Sequence, residues 1–370
     1  MSNAFEGHLA TSSLDLTYVV PQSSALSSDL AFSQRINSET ALTAKQRALE
    51  FLNIAIGQMG PKDLDGILAT VLLFVQFEIM DSGRNEWRDH IRGARVLIDM
   101  ALRSENNAAQ PISSLRRCLI SNYLVYDIIG ATFASCEGTV PNDTFSNGTL
   151  SLLQDNEGNH CSSFPMPLLH LLQSGVRLSE SSEPFTDPGL CTIRDKQARL
   201  LLESARSFDP QTWAANVQVH SPHTDLAVRT QIASAHQAAT CIYLTRLLLK
   251  ESPTLQLLQD LQNLILKIQI HLSNVSPDDP VIAATAWPSF IAGAEANGNA
   301  TECWAQNQLQ NIWAVQPWGL IKGALAVLRM IWARRRQYRD CEDTYTSVGK
   351  EGNENWVAYM RRIGADWLIS

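Results

Sequence analysis

Apolar side chains recur along this chain every three to four positions, a spacing that predicts amphipathic helices rather than strands. Ala48, Phe51, Leu52 and Ala55 fall on one stripe, which Gly60-Pro61 ends. Leu64 to Met80 is apolar nearly all round, which predicts a central helix closed by Asp81-Ser82-Gly83. Trp87, Ile91, Ala94, Ile98 and Ala101 continue the spacing in a third helix, and Leu115 to Phe133 forms a fourth. The pattern resumes over Ile193–Arg206, Thr224–Lys250, Leu255–Val275, Val281–Ala296, Glu302–Trp313, Trp318–Tyr338 and Asn355–Leu368. No run of alternating apolar and polar residues competes, so the expected fold class is all-α, with paired antiparallel helices as the local unit.

Two stretches depart from the pattern. Residues 1–40 are rich in Ser, Thr and small side chains and are expected to be a mostly flexible lead-in, with one short packed segment around Leu14 to Val20. Within the helical domain of residues 41–370, a Gly, Asn, Ser and Pro-rich stretch at about 136–192 reads as a long loop, interrupted by a short apolar piece at Met166 to Leu172. Pro288 lies inside the Val281–Ala296 segment, where its missing amide should kink that helix or split it in two.

Composition narrows the classes. With 370 residues, 45% of them hydrophobic, the chain can bury a large core without metals or disulfides. A formal net charge of −8 opposes the counterion-release binding on which phosphate recognition depends, so direct DNA binding is not expected. The seven cysteines lie at least 18 positions apart, which excludes Cys-x-x-Cys spacing and predicts reduced thiols. Neither a signal peptide nor a membrane span is indicated, so an intracellular, cytoplasmic protein is expected, and sequons such as Asn147-Gly148-Thr149 are chance matches.

Three segments stand out for their composition and order. The first runs Leu72-Leu73-Phe74-Val75-Gln76-Phe77-Glu78-Ile79, through Gly83, to Trp87-Arg88-Asp89-His90-Ile91-Arg92-Gly93-Ala94-Arg95. The second is Ala286-Trp287-Pro288-Ser289-Phe290-Ile291-Ala292-Gly293-Ala294-Glu295-Ala296. The third is Ala326-Val327-Leu328-Arg329-Met330-Ile331-Trp332, followed by Trp356, Met360, Gly364 and Leu368-Ile369. Together these segments resemble the fungal-specific transcription factor domain of the acriflavine-sensitivity type, and the resemblance implies antiparallel helices around an apolar cavity, used for effector sensing and self-association. The six-cysteine zinc cluster and basic linker that precede this domain in such regulators are not in the sequence, and Ala294 stands where the family often has Cys.

Candidate chemistry centres on buried carboxylates. Glu78, Asp127 and Glu295 lie in apolar helical surroundings, where burial would keep a carboxyl protonated as a general acid. The competing reading is that each bonds into a neighbouring helix. Tyr123 and Tyr126 flank Asp127. His236, Ala239, Tyr243 and Arg246 share one helical face, offering a titratable ring, a phenol and a guanidinium to a pocket wall, or else a polar stripe to solvent. Trp287 and Phe290 would wall an apolar substrate pocket. His220-x-x-His223 reads as a solvated loop rather than a metal site, and Arg334-Arg335-Arg336 as a cationic helix end. No phosphate loop, nucleophile elbow or dinucleotide fingerprint is present, so no cofactor is expected.

Two functions follow as expectations. In the first, the fold serves as a cofactor-independent, acid-catalysed cyclase or isomerase of fungal secondary metabolism. Asp127, Glu295, Glu78, His236 and Tyr243 would be catalytic, and Trp287, Tyr123, Tyr126, Arg246 and Phe290 would hold a hydrophobic small molecule such as an epoxide. In the second, the chain is a non-catalytic, metabolite-sensing transcriptional regulator, nuclear, that acts through protein partners. Under either, a homodimer is compatible with the self-association that the resemblance implies.

Overall fold

The computed structural model describes residues 27–60, 63–83, 86–105, 113–133, 163–180, 188–218, 225–248, 254–342, 355–363 and 367–369. The expected packed segment at Leu14–Val20, the sequon at Asn147, His220-x-x-His223 and most of the expected long loop lie outside the described residues. Thirteen α-helices and one 3-10 turn account for nearly all of what is described, as the all-α reading requires. No described helix is long and apolar enough to cross a membrane.

Residues 1–59 form one unit and residues 60–370 a second. In the first, a single helix, α1 (Ser27–Gly57), runs across the expected boundary at residue 40.

The second unit begins with α2 (Leu64–Asp81), which pairs with α3 (Trp87–Glu105), and both pack on α4 (Ser114–Phe133). Then follow α5 (Met166–Glu180), α6 (Pro188–Ser207), α7 (Pro210–Gln218), α8 (Leu226–Leu248) and α9 (Leu255–Leu272). A 3-10 turn at Ile282–Thr285 leads into α10 (Ala286–Glu295), succeeded by α11 (Asn299–Val315), α12 (Gly319–Glu342) and α13 (Trp356–Arg362).

The centre belongs to α8 and α10 rather than to α2. Helix α8 packs against α5, α6, α7, α9, α10 and α13, and α10 against α8, α9, α11 and α12. Helix α2 instead leaves Leu73 and Met80 exposed. Every residue of α10 is buried, and its small side chains let neighbours approach closely. A Cβ added at Gly293 would meet Ala305 Cβ at 2.8 Å and Leu328 Cδ1 at 2.9 Å. The last carbonyls of a helix have no partner within it. Here the Trp332 indole donates to Gly293 O at 2.8 Å, and Arg335 Nη1 donates to Ala296 O at 2.6 Å.

Several elements differ from the sequence reading. The apolar piece expected at 166–172 is a 15-residue helix that buries Met166, Leu168, Leu169, Leu172 and Val176 at helical spacing, so the expected loop is interrupted by real structure. Helix α6 starts at Pro188, a residue suited to a first helical turn because its missing amide has no partner there. Helix α7 has no counterpart in the apolar pattern, although Asp209 accepts from Gln211 N at 3.0 Å and Thr212 N at 3.2 Å as an N-cap. Helix α13 stops at Arg362, well before Leu368. The Val281–Ala296 segment is split, but at Thr285, three residues ahead of Pro288.

Candidate functional site

Pro288 sits in the first turn of α10, so it neither kinks nor interrupts that helix. It does remove the amide that would reach back four residues to Ala284. His236, from the middle of α8, takes that place: its Nε2 lies 2.9 Å from Ala284 O. A carbonyl can only accept, so Nε2 carries the hydrogen. Burial pushes the imidazole down to about 3, only partly countered by this hydrogen bond, and the ring is neutral at ordinary pH. It stacks on Trp287 at 5.9 Å with an 11° interplanar angle and meets Phe164 at 4.1 Å.

One and two turns further along α8, the same face stays inside. Tyr243 is fully buried and its hydroxyl donates to Thr132 O at 2.8 Å, joining α8 to the end of α4. Its ring contacts Trp287 at 6.4 Å and Phe133 at 6.2 Å. Phe133 in turn meets Phe290 at 5.4 Å. The face is therefore not a solvated stripe; Nε2 of His236 and the Tyr243 hydroxyl serve contacts between helices.

Arg246 and Glu295 form the strongest polar feature. The guanidinium grips the carboxylate through two hydrogen bonds, Nε to Oε2 at 2.8 Å and Nη2 to Oε1. Trp356 Nε1 donates to the same Oε2 at 2.9 Å, and Asn355 donates to the Arg246 carbonyl while accepting from Val357 N as the cap of α13. Burial alone would lower the Arg246 guanidinium, but the hydrogen bonds and charge of Glu295 more than offset it and hold it above its ordinary value. Glu295 is 1% exposed. A carboxylate whose two oxygens both accept from fixed donors ties three helices together; it is not placed as a proton donor to a guest.

The remaining candidates have partners of their own. Glu78 is buried, with His90 Nε2 3.7 Å from its Oε1 and the imidazole stacked on Phe74 at 5.2 Å. Asp127 lies one turn from Tyr123 on α4, where its charge acts on the phenol. Burial raises the Tyr123 phenol, the charges of Asp127 and Asp99 add to this, and Arg95 pulls it back. Tyr126 accepts from Gln76 Nε2 across to α2. So the structure gathers His236, Tyr243, Arg246, Trp287, Phe290 and Glu295 about the α8–α10 contact, and ties Glu78, Tyr123, Tyr126 and Asp127 into the α2–α4 layer. Trp356, Phe164 and Phe133 belong with the first group, although sequence reasoning does not single them out as site residues. Only Trp356 carries a local signal, standing directly after the capping residue Asn355.

The comparisons with known proteins bear on the functional class. The fungal specific transcription factor domain matches residues 5–370. Acriflavine sensitivity control protein acr-2 of Neurospora crassa is 29% identical over 338 residues, which make up 89% of this chain and 55% of that protein. The chain thus spans about half the length of this relative, and no solved structure matches it. These matches overturn the expectation of an acid-catalysed cyclase or isomerase: they point to a regulatory domain, and the wiring of Glu295 agrees. The chain belongs to the fungal specific transcription factor domain family.

Proposed function

We propose that this chain is a non-catalytic regulatory domain that senses a metabolite and acts in the nucleus through protein partners. The observation that carries this is the family match over residues 5–370. It is supported by the buried carboxylate Glu295, whose oxygens are spent on Arg246 and Trp356.

The test is to fuse the whole chain to a heterologous DNA-binding domain and read a reporter in a fungal host. Host metabolite extract, and acriflavine because of the relative's name, would be added in separate arms. A change in reporter output that depends on an added compound supports the reading. An indifferent reporter, together with conversion of an extract component by the purified chain, would return the protein to the enzymes.

A further inference from the structure

Three buried polar atoms along one stripe of the interior lack a hydrogen-bond partner among the described residues: Nδ1 of His236, Oγ1 of Thr240 and Nε1 of Trp287. Their residues are 1%, 0% and 1% exposed. Burying an unpaired polar group is costly, so three together demand a reason. They are not scattered. His236 and Thr240 are one turn apart on α8, and the Trp287 ring contacts both His236 and Tyr243, the residues on either side of Thr240 along that stripe.

Their chemistry specifies a guest. Because Nε2 of His236 donates to Ala284 O, Nδ1 holds a lone pair and can only accept. The Trp287 indole can only donate, and the Thr240 hydroxyl can do either. Tyr243 does not compete, since its hydroxyl is spent on Thr132 O. A carboxylate could not donate to Nδ1, and the nearest guanidinium on this helix face, Arg246, is taken by Glu295. An ammonium could not accept from the indole. A hydroxyl does both, giving its hydrogen to Nδ1 and taking one from the indole. The aromatic neighbours Phe164 and Tyr243 suit an apolar remainder.

We infer that His236, Thr240 and Trp287 recognise the hydroxyl of a small, neutral and otherwise apolar alcohol or phenol. This deepens the sensing reading above and rests on it for its biological meaning, but binding is measured on the purified chain and regulation in the reporter, so either can fail alone.

The experiment follows the indole N–H resonance of Trp287 in the full chain, identified by its disappearance in Trp287→Phe, during titration with phenol and then with toluene. Phenol should move the resonance to saturation, and toluene, of the same shape without the hydroxyl, should not. Thr240→Val should weaken phenol binding about fivefold, the worth of one neutral hydrogen bond. It should leave the Tm of the free protein unchanged or raised, because the hydroxyl holds nothing in the unliganded fold. Equal shifts with both compounds overturn the inference, and so does no shift with either, which is the result expected if only solvent water uses these atoms. A lowered Tm in Thr240→Val also overturns it, by showing that the hydroxyl is already bonded.

Discussion

His236 donates across 2.9 Å to the carbonyl of Ala284, the very carbonyl that Pro288 cannot serve. A side chain 48 positions earlier thus completes the entry to a helix whose every residue is buried, and burial keeps its ring neutral there.

That condition has a pH signature. The folded His236 ring is held near 3, below the ordinary 6.5 of an unfolded histidine. The unfolded chain therefore binds the proton first. Stability is fully present above pH 6.5 and falls towards pH 3 through that window. Burial also lowers His170 and His271, with Arg177 and Lys267 respectively adding to the effect, so they contribute in the same direction. The difference between wild type and His236→Gln isolates the one residue. Thermal denaturation at several pH values should show a shallower loss in the variant, and parallel curves would refute the assignment.

The clamp between α8, α10 and α13 should be costly to break from one side. Glu295→Gln leaves a guanidinium inside without its counter-charge and should destabilise by about 3–5 kcal/mol. Removing both charges, as Glu295→Leu with Arg246→Met, should cost less than the sum of the single changes. A double-mutant cycle in denaturant reads the coupling; simple additivity would mean the contact is not energetically shared.

Two glycines in the family-like segments should respond oppositely to alanine. Gly293→Ala forces a methyl against Ala305 and Leu328 and should cost about 1–3 kcal/mol. Gly93 lies exposed in α3, with no atom within 4 Å of the place a Cβ would occupy. Gly93→Ala should therefore stabilise by about 0.5–1 kcal/mol, through helix propensity alone. Calorimetric Tm values of both variants decide the matter.

Thiol labelling should separate Cys303 from Cys241. Cys303 is exposed and should react at once in the native state. Burial pushes the Cys241 thiol up to about 11, with Arg206 and Lys267 pulling weakly the other way. It should react only in denaturant. Peptide mapping by mass spectrometry after timed alkylation reports each separately, and early labelling of Cys241 would mean that α8 opens locally.

The helices are legible in the sequence where apolar side chains are large and well spaced, as in α3 and α9. The centre is not, because α8 is filled with Ala233, Ala235, Ala238 and Ala239, whose small side chains give a weak pattern yet permit packing on every side. Helix α2 reads as more central because it is richer in large apolar residues, and two of them are exposed. The helical face of His236, Tyr243 and Arg246 can be read from spacing alone. Their partners cannot: Ala284, Thr132 and Glu295 lie 48, 111 and 49 positions away. A carboxylate in apolar surroundings looks the same in sequence whether a guanidinium grips it or a substrate waits beside it.

The docking of α13 bears on how the protein comes to be made. Glu295 and Arg246 are synthesised long before Trp356 and Asn355, which complete their enclosure, so this part of the interior cannot close until translation has passed α13. A nonsense codon at position 355 would strip the indole from the buried carboxylate and the cap from the Arg246 carbonyl. A chain interrupted there would leave the Arg246–Glu295 pair open on the side that α13 covers.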